Sequence, residues 1–144
     1  MAGGSPRYQV YRTKDGRFVA AAPLEQKFWM NFTRVIGLDA ALIDDAKDPL
    51  ATKHGVAARI ATQTADEWRT AFKGEDLCCS VVATMREAMD DPHFRARGLF
   101  ARKVATDAGA VTAMPVPVAD AFRSSEVTLG YPRLGEANDD LIAK

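Results

Sequence analysis

Few residues in this 144-residue chain have the type and spacing that chemistry needs, and Glu25 is the first of them. It stands between a strand-like run and an amphipathic run, beside Leu24, Phe28 and Trp29. At such a place a carboxylate can point into a cleft between sheet and helix. A plainer role is open to it as well, since an acid in a first helical turn complements the helix dipole by ~0.3–1 kcal/mol. Cys78 and Cys79 are the only cysteines. Two neighbours cannot cross-link distant segments, and without further ligands they hold no metal. Cys78 as a nucleophile would need a base and an electropositive setting, whereas its flanks, Leu77 to Val82, predict an inert buried thiol. His54 and His93 each lack a Cys or second His at ligand spacing, which suits surface or structural histidines. Arg95, Arg97, Arg102 and Lys103 form a basic cluster that fits phosphates or, more simply, a solvated face. Gly3-Gly4-Ser5 is not a phosphate loop, because no Gly-Lys-Ser/Thr follows it. A hydrolase elbow, a dinucleotide fingerprint and a zincin motif are likewise absent. The residues alone give no self-sufficient catalytic set and no metal site.

The elements that must position Glu25 can be read on either side of it. Tyr8 to Thr13 and Arg17 to Ala22 flank Asp15-Gly16, and β-branched and aromatic residues around Asp-Gly predict a hairpin with strands at about 8–13 and 17–22. Pro23 suits a first helical turn. Leu24, Phe28, Phe32, Val35 and Ile36 then recur at spacings of three and four until Gly37, which predicts an amphipathic helix with a glycine stop. Pro49 opens a further helix through Ile60. Thr64-Ala65-Asp66-Glu67 has the form of a capping box for a helix over about 65–73. Leu77 to Val82 reads as a short buried strand, and Thr84-Met85-Arg86-Glu87 as a second capping box opening a helix to about 89. Asp91-Pro92 and Gly98 bracket another short helix, and runs at 99–104 and 110–116 can pair around Asp107-Ala108-Gly109. Residues 117–144 carry Pro, Gly and charge with little periodicity, as a tail that drapes over a partner or is loose. The expected fold class is α+β: a small antiparallel sheet built from hairpins and an inner strand, covered by amphipathic helices.

Composition limits the partners. Nineteen basic residues balance nineteen acidic ones, so no chain-wide field draws in nucleic acid or an anionic membrane. The apolar runs are far shorter than the ~20 residues that cross a bilayer, and the N-terminus lacks the order of a secretory signal. With its two adjacent cysteines, the chain is expected in a reducing cytoplasm.

Residues 3–29, GGSPRYQVYRTKDGRFVAAAPLEQKFW, closely resemble the start of the small domain of the family III CoA-transferases. That family includes carnitine-CoA and formyl-CoA transferases and α-methylacyl-CoA racemase. Further likenesses follow in the same order: the helix end at Gly37-Leu38, DEWRTAF at 66–72, LCCSVV at 77–82, EAMDDPHFRARGLF at 87–100 and PRLGEANDDLIAK at 132–144. The resemblance implies a small-domain core over residues 1–116. It also implies an extension, residues 117–144, that packs on a large domain or a partner subunit. The family's large Rossmann-like domain, which carries the aspartate used in chemistry and most CoA-binding residues, has no counterpart here.

The implied activity is that of the family. In the transferases the aspartate attacks an acyl-CoA thioester to give a mixed anhydride, and CoA passes to a second carboxylic acid. In the racemase branch an aspartate and a histidine exchange the proton α to the thioester. The segment Leu24-Glu25-Gln26-Lys27-Phe28 is similar to the family's Leu/Ile-Glu-Pro-x-Phe pattern, whose glutamate supports the catalytic histidine, so the resemblance gives Glu25 the role of supporting carboxylate. Gln26 replaces the pattern's proline. No glycine-rich loop of the formyl-CoA branch follows Phe18, which places the chain nearer the racemase and carnitine-type members. Coenzyme A or acyl-CoA is implied as substrate rather than as a bound cofactor, with a carboxylate acceptor and a homodimer or large-domain partner. Trp29, Phe94 and Phe100 are candidates for the docking face. A non-enzymatic module of the same fold, binding CoA or a partner, and a structural remnant that dimerises without ligand are the alternatives.

Overall fold

The structure is a computed structural model describing residues 3–123 and 127–142. Two compact units divide the chain, Met1–Val82 and Ala83–Lys144. The α+β class is as expected, built from six helices longer than a single 3-10 turn and two three-stranded sheets among the described residues.

In the first unit β1 (Gln9–Arg12), β2 (Phe18–Ala21) and β3 (Cys79–Val81) form an antiparallel sheet with β2 in the centre. Thr13 N–H donates to Arg17 O and Gly16, at φ 78°, closes the loop, as its lack of a Cβ permits. Strand alternation sends Tyr11, Val19 and Ala21 into the core and leaves Val10 and Phe18 on the open face. Three helices cover the inner face. Helix α1 (Gln26–Ile36) buries Trp29, Phe32, Thr33 and Ile36, and ends on Gly37 at φ 66°. Helix α2 (Pro49–Ile60) buries Thr52, Val56 and Ile60 at successive fourth positions, and Asp48 caps it by accepting from Ala51 N–H at 2.9 Å. Helix α3 (Ala65–Phe72) starts on the expected capping box, Thr64 with Glu67. Its Trp68, fully buried, donates from Nε1 to Ile60 O at 2.8 Å and so ties α3 to the end of α2. Each fully buried large apolar side chain of this core contributes roughly 1.5–3 kcal/mol.

Several expectations for this unit are corrected. Helix α1 begins at Gln26 rather than at Pro23: Leu24 N–H bonds back to Ala22 O at 2.8 Å, and this tight turn buries Pro23 in the connection. Strand β3 lies at the edge and is half-buried, not an inner strand, because β1 and β3 flank β2. Cys78 is exposed rather than buried, with a left-handed backbone at φ 48° where the chain turns from buried Leu77 into β3. Trp29 is fully buried and forms no docking face.

The second unit contains α4 (Met85–Asp90), opened by the Thr84–Glu87 capping box, and α5 (Pro92–Ala96), capped by Asp91. Strands β4 (Lys103–Thr106) and β5 (Gly109–Thr112) make the second hairpin, shorter than the sequence suggests and centred on Asp107-Ala108. Strand β6 (Thr128–Gly130) pairs with β4 in parallel, and α6 (Asn138–Ile142) follows. The segment read as an irregular tail thus supplies a strand, too short to show a pattern of its own. Phe94 and Phe100 are half-buried, their rings edge to face at 6.4 Å. None of the described residues of this unit is fully buried.

Candidate functional site

The segment from Ala22 to Gln26 leads from the sheet into α1. Ala22 N–H donates to Cys78 O at 3.0 Å, prolonging the β2–β3 pairing by one bond. After the Ala22–Leu24 turn, Glu25 takes an extended conformation, φ −74° and ψ 146°, and becomes the N-cap of α1. Its carbonyl accepts from Trp29 N–H at 3.0 Å, while its side chain makes no capping hydrogen bond. An N-cap residue normally satisfies an orphan N–H with its side chain, and Glu is a poor residue for that task. Glu25 therefore lies one position before the first turn where dipole complementation was expected. It is exposed, and among the described residues its carboxylate makes no hydrogen bond and no ion pair.

What surrounds Glu25 is, by contrast, closely bonded. Arg7 reaches Asp45 through both of its ends, Nε to Oδ2 at 3.0 Å and Nη2 to Oδ1 at 2.6 Å. The same guanidinium donates to Leu24 O at 3.2 Å and to Gln26 Oε1 at 2.9 Å, and lies 5.0 Å from the Trp29 ring centre. Trp29 Nε1 donates to Ile43 O at 2.8 Å. On the exposed side of α1, Lys27 pairs with Asp76 at 2.8 Å and Arg34 with Glu75 at 2.6 Å. Hydrogen bonding to Asp76 raises the Lys27 ammonium above its ordinary range. Sequence reasoning passed over Arg7 and Asp45 because neither belongs to a local motif. The signal is only the distance closed by the fold, 38 positions.

Cys78 and Cys79 line an open depression with Tyr8, Val10 and Ala20, a site without a base. Burial pushes the Cys79 thiol up to about 12, so it is protonated and inert near neutrality. His54 and His93 are exposed, the latter ring tilted against Phe94 at 5.8 Å. Of the basic cluster, Arg95 is turned onto Asp90 and Met89 O, and Lys103 onto Thr112. Among the described residues no three His, Cys, Asp or Glu side chains could together hold a metal ion. Nor is any described helix long and apolar enough to cross a membrane.

The sequence profile of CoA-transferase family III matches residues 2–138. Alpha-methylacyl-CoA racemase of Mus musculus is 33% identical over 103 residues, which cover 69% of this chain and 27% of the relative. The human protein of that name is 31% identical over 121 residues, 82% of this chain and 31% of its own length. CaiB/baiF CoA-transferase family protein ZK892.4 of Caenorhabditis elegans is 31% identical over 87 residues, 60% and 25% respectively. The chain thus spans a quarter to a third of the length of these relatives. Among solved structures, a single-substitution form of Rv3272 from Mycobacterium tuberculosis superposes with a TM-score of 0.63 at 20% identity, over 97% of this chain and 40% of that one. That likeness speaks for the fold alone. With a profile match over nearly all of its length and two relatives above 30% identity across two thirds of it or more, the chain belongs to CoA-transferase family III.

Proposed function

We propose that this chain is the small domain of an acyl-CoA racemase or acyl-CoA transferase, with residues 1–116 as that domain and 117–144 as an extension onto a large domain or partner subunit. The observation that carries the reading is the identity to two alpha-methylacyl-CoA racemases over more than two thirds of the chain. In the racemase chemistry a base removes the proton α to the thioester and an acid returns one to the opposite face. In the transferase chemistry an enzyme carboxylate oxygen bonds the thioester carbonyl carbon and the C–S bond breaks to give a mixed anhydride and CoA thiolate. The thiolate attacks the enzyme carboxyl carbon and releases the donor acid, and the acceptor carboxylate displaces CoA from that enzyme thioester to form a second anhydride. CoA then attacks its acceptor acyl carbon to give the new acyl-CoA and the free enzyme carboxylate. Either base or nucleophile comes from the large domain. Glu25 is assigned a supporting part: its unpartnered carboxylate, held at the junction of sheet and helix, accepts the N–H of a catalytic imidazole across the domain cleft and orients it. Acyl-CoA and a carboxylate are substrates, no resident cofactor takes part, the assembly is a homodimer, and the compartment is the cytoplasm.

The test joins this chain to a large domain of the family and incubates the product with a 2-methylacyl-CoA in deuterated water and, separately, with a labelled carboxylate. Deuterium at the α carbon supports racemisation. Labelled acyl-CoA supports transfer. A folded assembly that does neither refutes the proposal.

A further inference from the structure

We propose that Arg7 is the positioning residue for Glu25, a proposal that rests on the supporting role given to Glu25 above. The Glu25 carboxylate touches no described donor, so its direction is set by its backbone and by the two residues on either side. Packing does little to hold those neighbours, since Leu24 and Gln26 are both exposed. Beside the Leu24 N–H bond to Ala22 O and the start of α1 at Gln26, Arg7 holds them. Its Nη1 donates to the Leu24 carbonyl at 3.2 Å and its Nη2 to Gln26 Oε1 at 2.9 Å, so one planar group grips the residue before Glu25 and the residue after it.

The grip is itself anchored. Asp45 receives Arg7 in bidentate fashion, and both side chains are only 17% exposed. Arg7 follows Pro6, which is buried and whose carbonyl accepts from Tyr11 OH at 2.7 Å inside the core. Asp45 N–H bonds Ile43 O at 3.0 Å, the carbonyl that also takes Trp29 Nε1, and Trp29 N–H returns to Glu25 O. The bonds therefore close a circuit from Arg7 through Asp45, Ile43 and Trp29 back to Glu25. A guanidinium is needed for it. Its rigid fork presents five N–H groups in one plane, whereas a lysine ammonium has three donors on one atom and cannot hold a carboxylate at two points while spanning residues 24 and 26.

The test compares Arg7→Lys with the unchanged chain in two measurements. In amide hydrogen exchange on the 144-residue chain, Arg7→Lys is expected to speed exchange of the Trp29 backbone N–H, which bonds Glu25 O, by about tenfold or more. The Trp68 indole N–H, bonded to Ile60 O on α2, serves as the remote control and is expected to stay within about twofold. Gln26→Ala, which removes a single bond of the grip, is expected to give a smaller change at the same amide and covers the case in which Arg7→Lys does not fold. Gln26→Pro placed in the Arg7→Lys background should restore protection: position 26 is the first helical residue, and Glu25 already has the extended conformation that precedes proline. In the assembly with a large domain, Arg7→Lys should lower kcat by about three- to tenfold at little-changed KM, and should add nothing in a Glu25→Gln background. An unchanged Trp29 amide, equal acceleration at Trp68, or a kcat loss that adds to that of Glu25→Gln would each overturn the proposal. A silent Glu25→Gln beside a local change at Trp29 would instead overturn the functional reading of Glu25, and with it the catalytic sense of the Arg7 grip.

Discussion

Glu25→Gln separates a structural acid from a functional one, because the two roles predict opposite patterns of stability and turnover. The substitution keeps size and shape and removes one charge. In the structure that charge supports nothing local: the side chain caps no N–H, sits before the first turn of α1, and makes no ion pair among the described residues. An exposed substitution free of such features changes stability by no more than about 0.5 kcal/mol, and an 80-residue unit would then melt within about 4 °C of its parent. Turnover should behave differently. Losing the partner that orients a reacting imidazole typically costs roughly ten- to a hundredfold, about 1.4–2.7 kcal/mol of transition-state stabilisation. The two numbers are measured on the same variant, by thermal denaturation of the chain and by α-proton exchange in the assembly with a large domain. A melting temperature lowered by more than about 5 °C with unchanged exchange would show that Glu25 belongs to the fold and not to the chemistry.

The 144-residue chain alone should turn over neither acyl-CoA epimers nor CoA between carboxylates, and thioester analysis that finds turnover surviving further purification would contradict the assignment of base and nucleophile to the large domain. Thr52→Val should destabilise the first unit by about 1–2 kcal/mol, because the buried Thr52 Oγ1 donates to Leu42 O at 2.9 Å and valine keeps the volume without the donor. Urea denaturation checks it. The hydrogen bond from the Thr13 hydroxyl, with a further one from Ala65 N–H, holds the Asp15 carboxyl below the usual carboxylate range against a smaller opposing desolvation. The stability this contributes is present above the unfolded value of about 4 and is lost as pH falls through the lower folded one. Asp15→Asn should accordingly flatten the acid limb of a stability profile between pH 5 and 2, and an unchanged slope would remove Asp15 from the account.

Features encoded within a few residues were legible in the sequence. Thr64 and Glu67, and again Thr84 and Glu87, meet across three positions, so the capping boxes could be read directly and both are present. Gly16 and Gly37 take the left-handed conformations their contexts suggested. Features that depend on closure of the chain over tens of residues were not legible. Strand β6 exists because Thr128–Gly130 finds β4 in parallel register, a pairing that three residues cannot announce. Cys78 is turned outward by its positive φ although its apolar neighbours suggest burial. At the candidate site the split is similar. The glutamate stood out through its neighbours and the resemblance they carry, whereas the arginine that grips its flanks, and the aspartate that anchors the arginine, acquire meaning only in three dimensions.

The absence of any fully buried residue among those described in the second unit bears on the calorimetry of the chain. Heat-capacity change on unfolding comes from apolar surface newly wetted, at about 12–15 cal/mol/K per residue of an ordinary domain. Strands β4, β5 and β6 wet little that is not already wet, so most of the increment belongs to the roughly 80 residues around Trp29, Phe32 and Trp68. That amounts to about 1.0–1.2 kcal/mol/K, against the 1.7–2.2 that a fully packed chain of this length would give. The stability curve of the chain is correspondingly flatter than its length suggests, and it is drawn by the first unit.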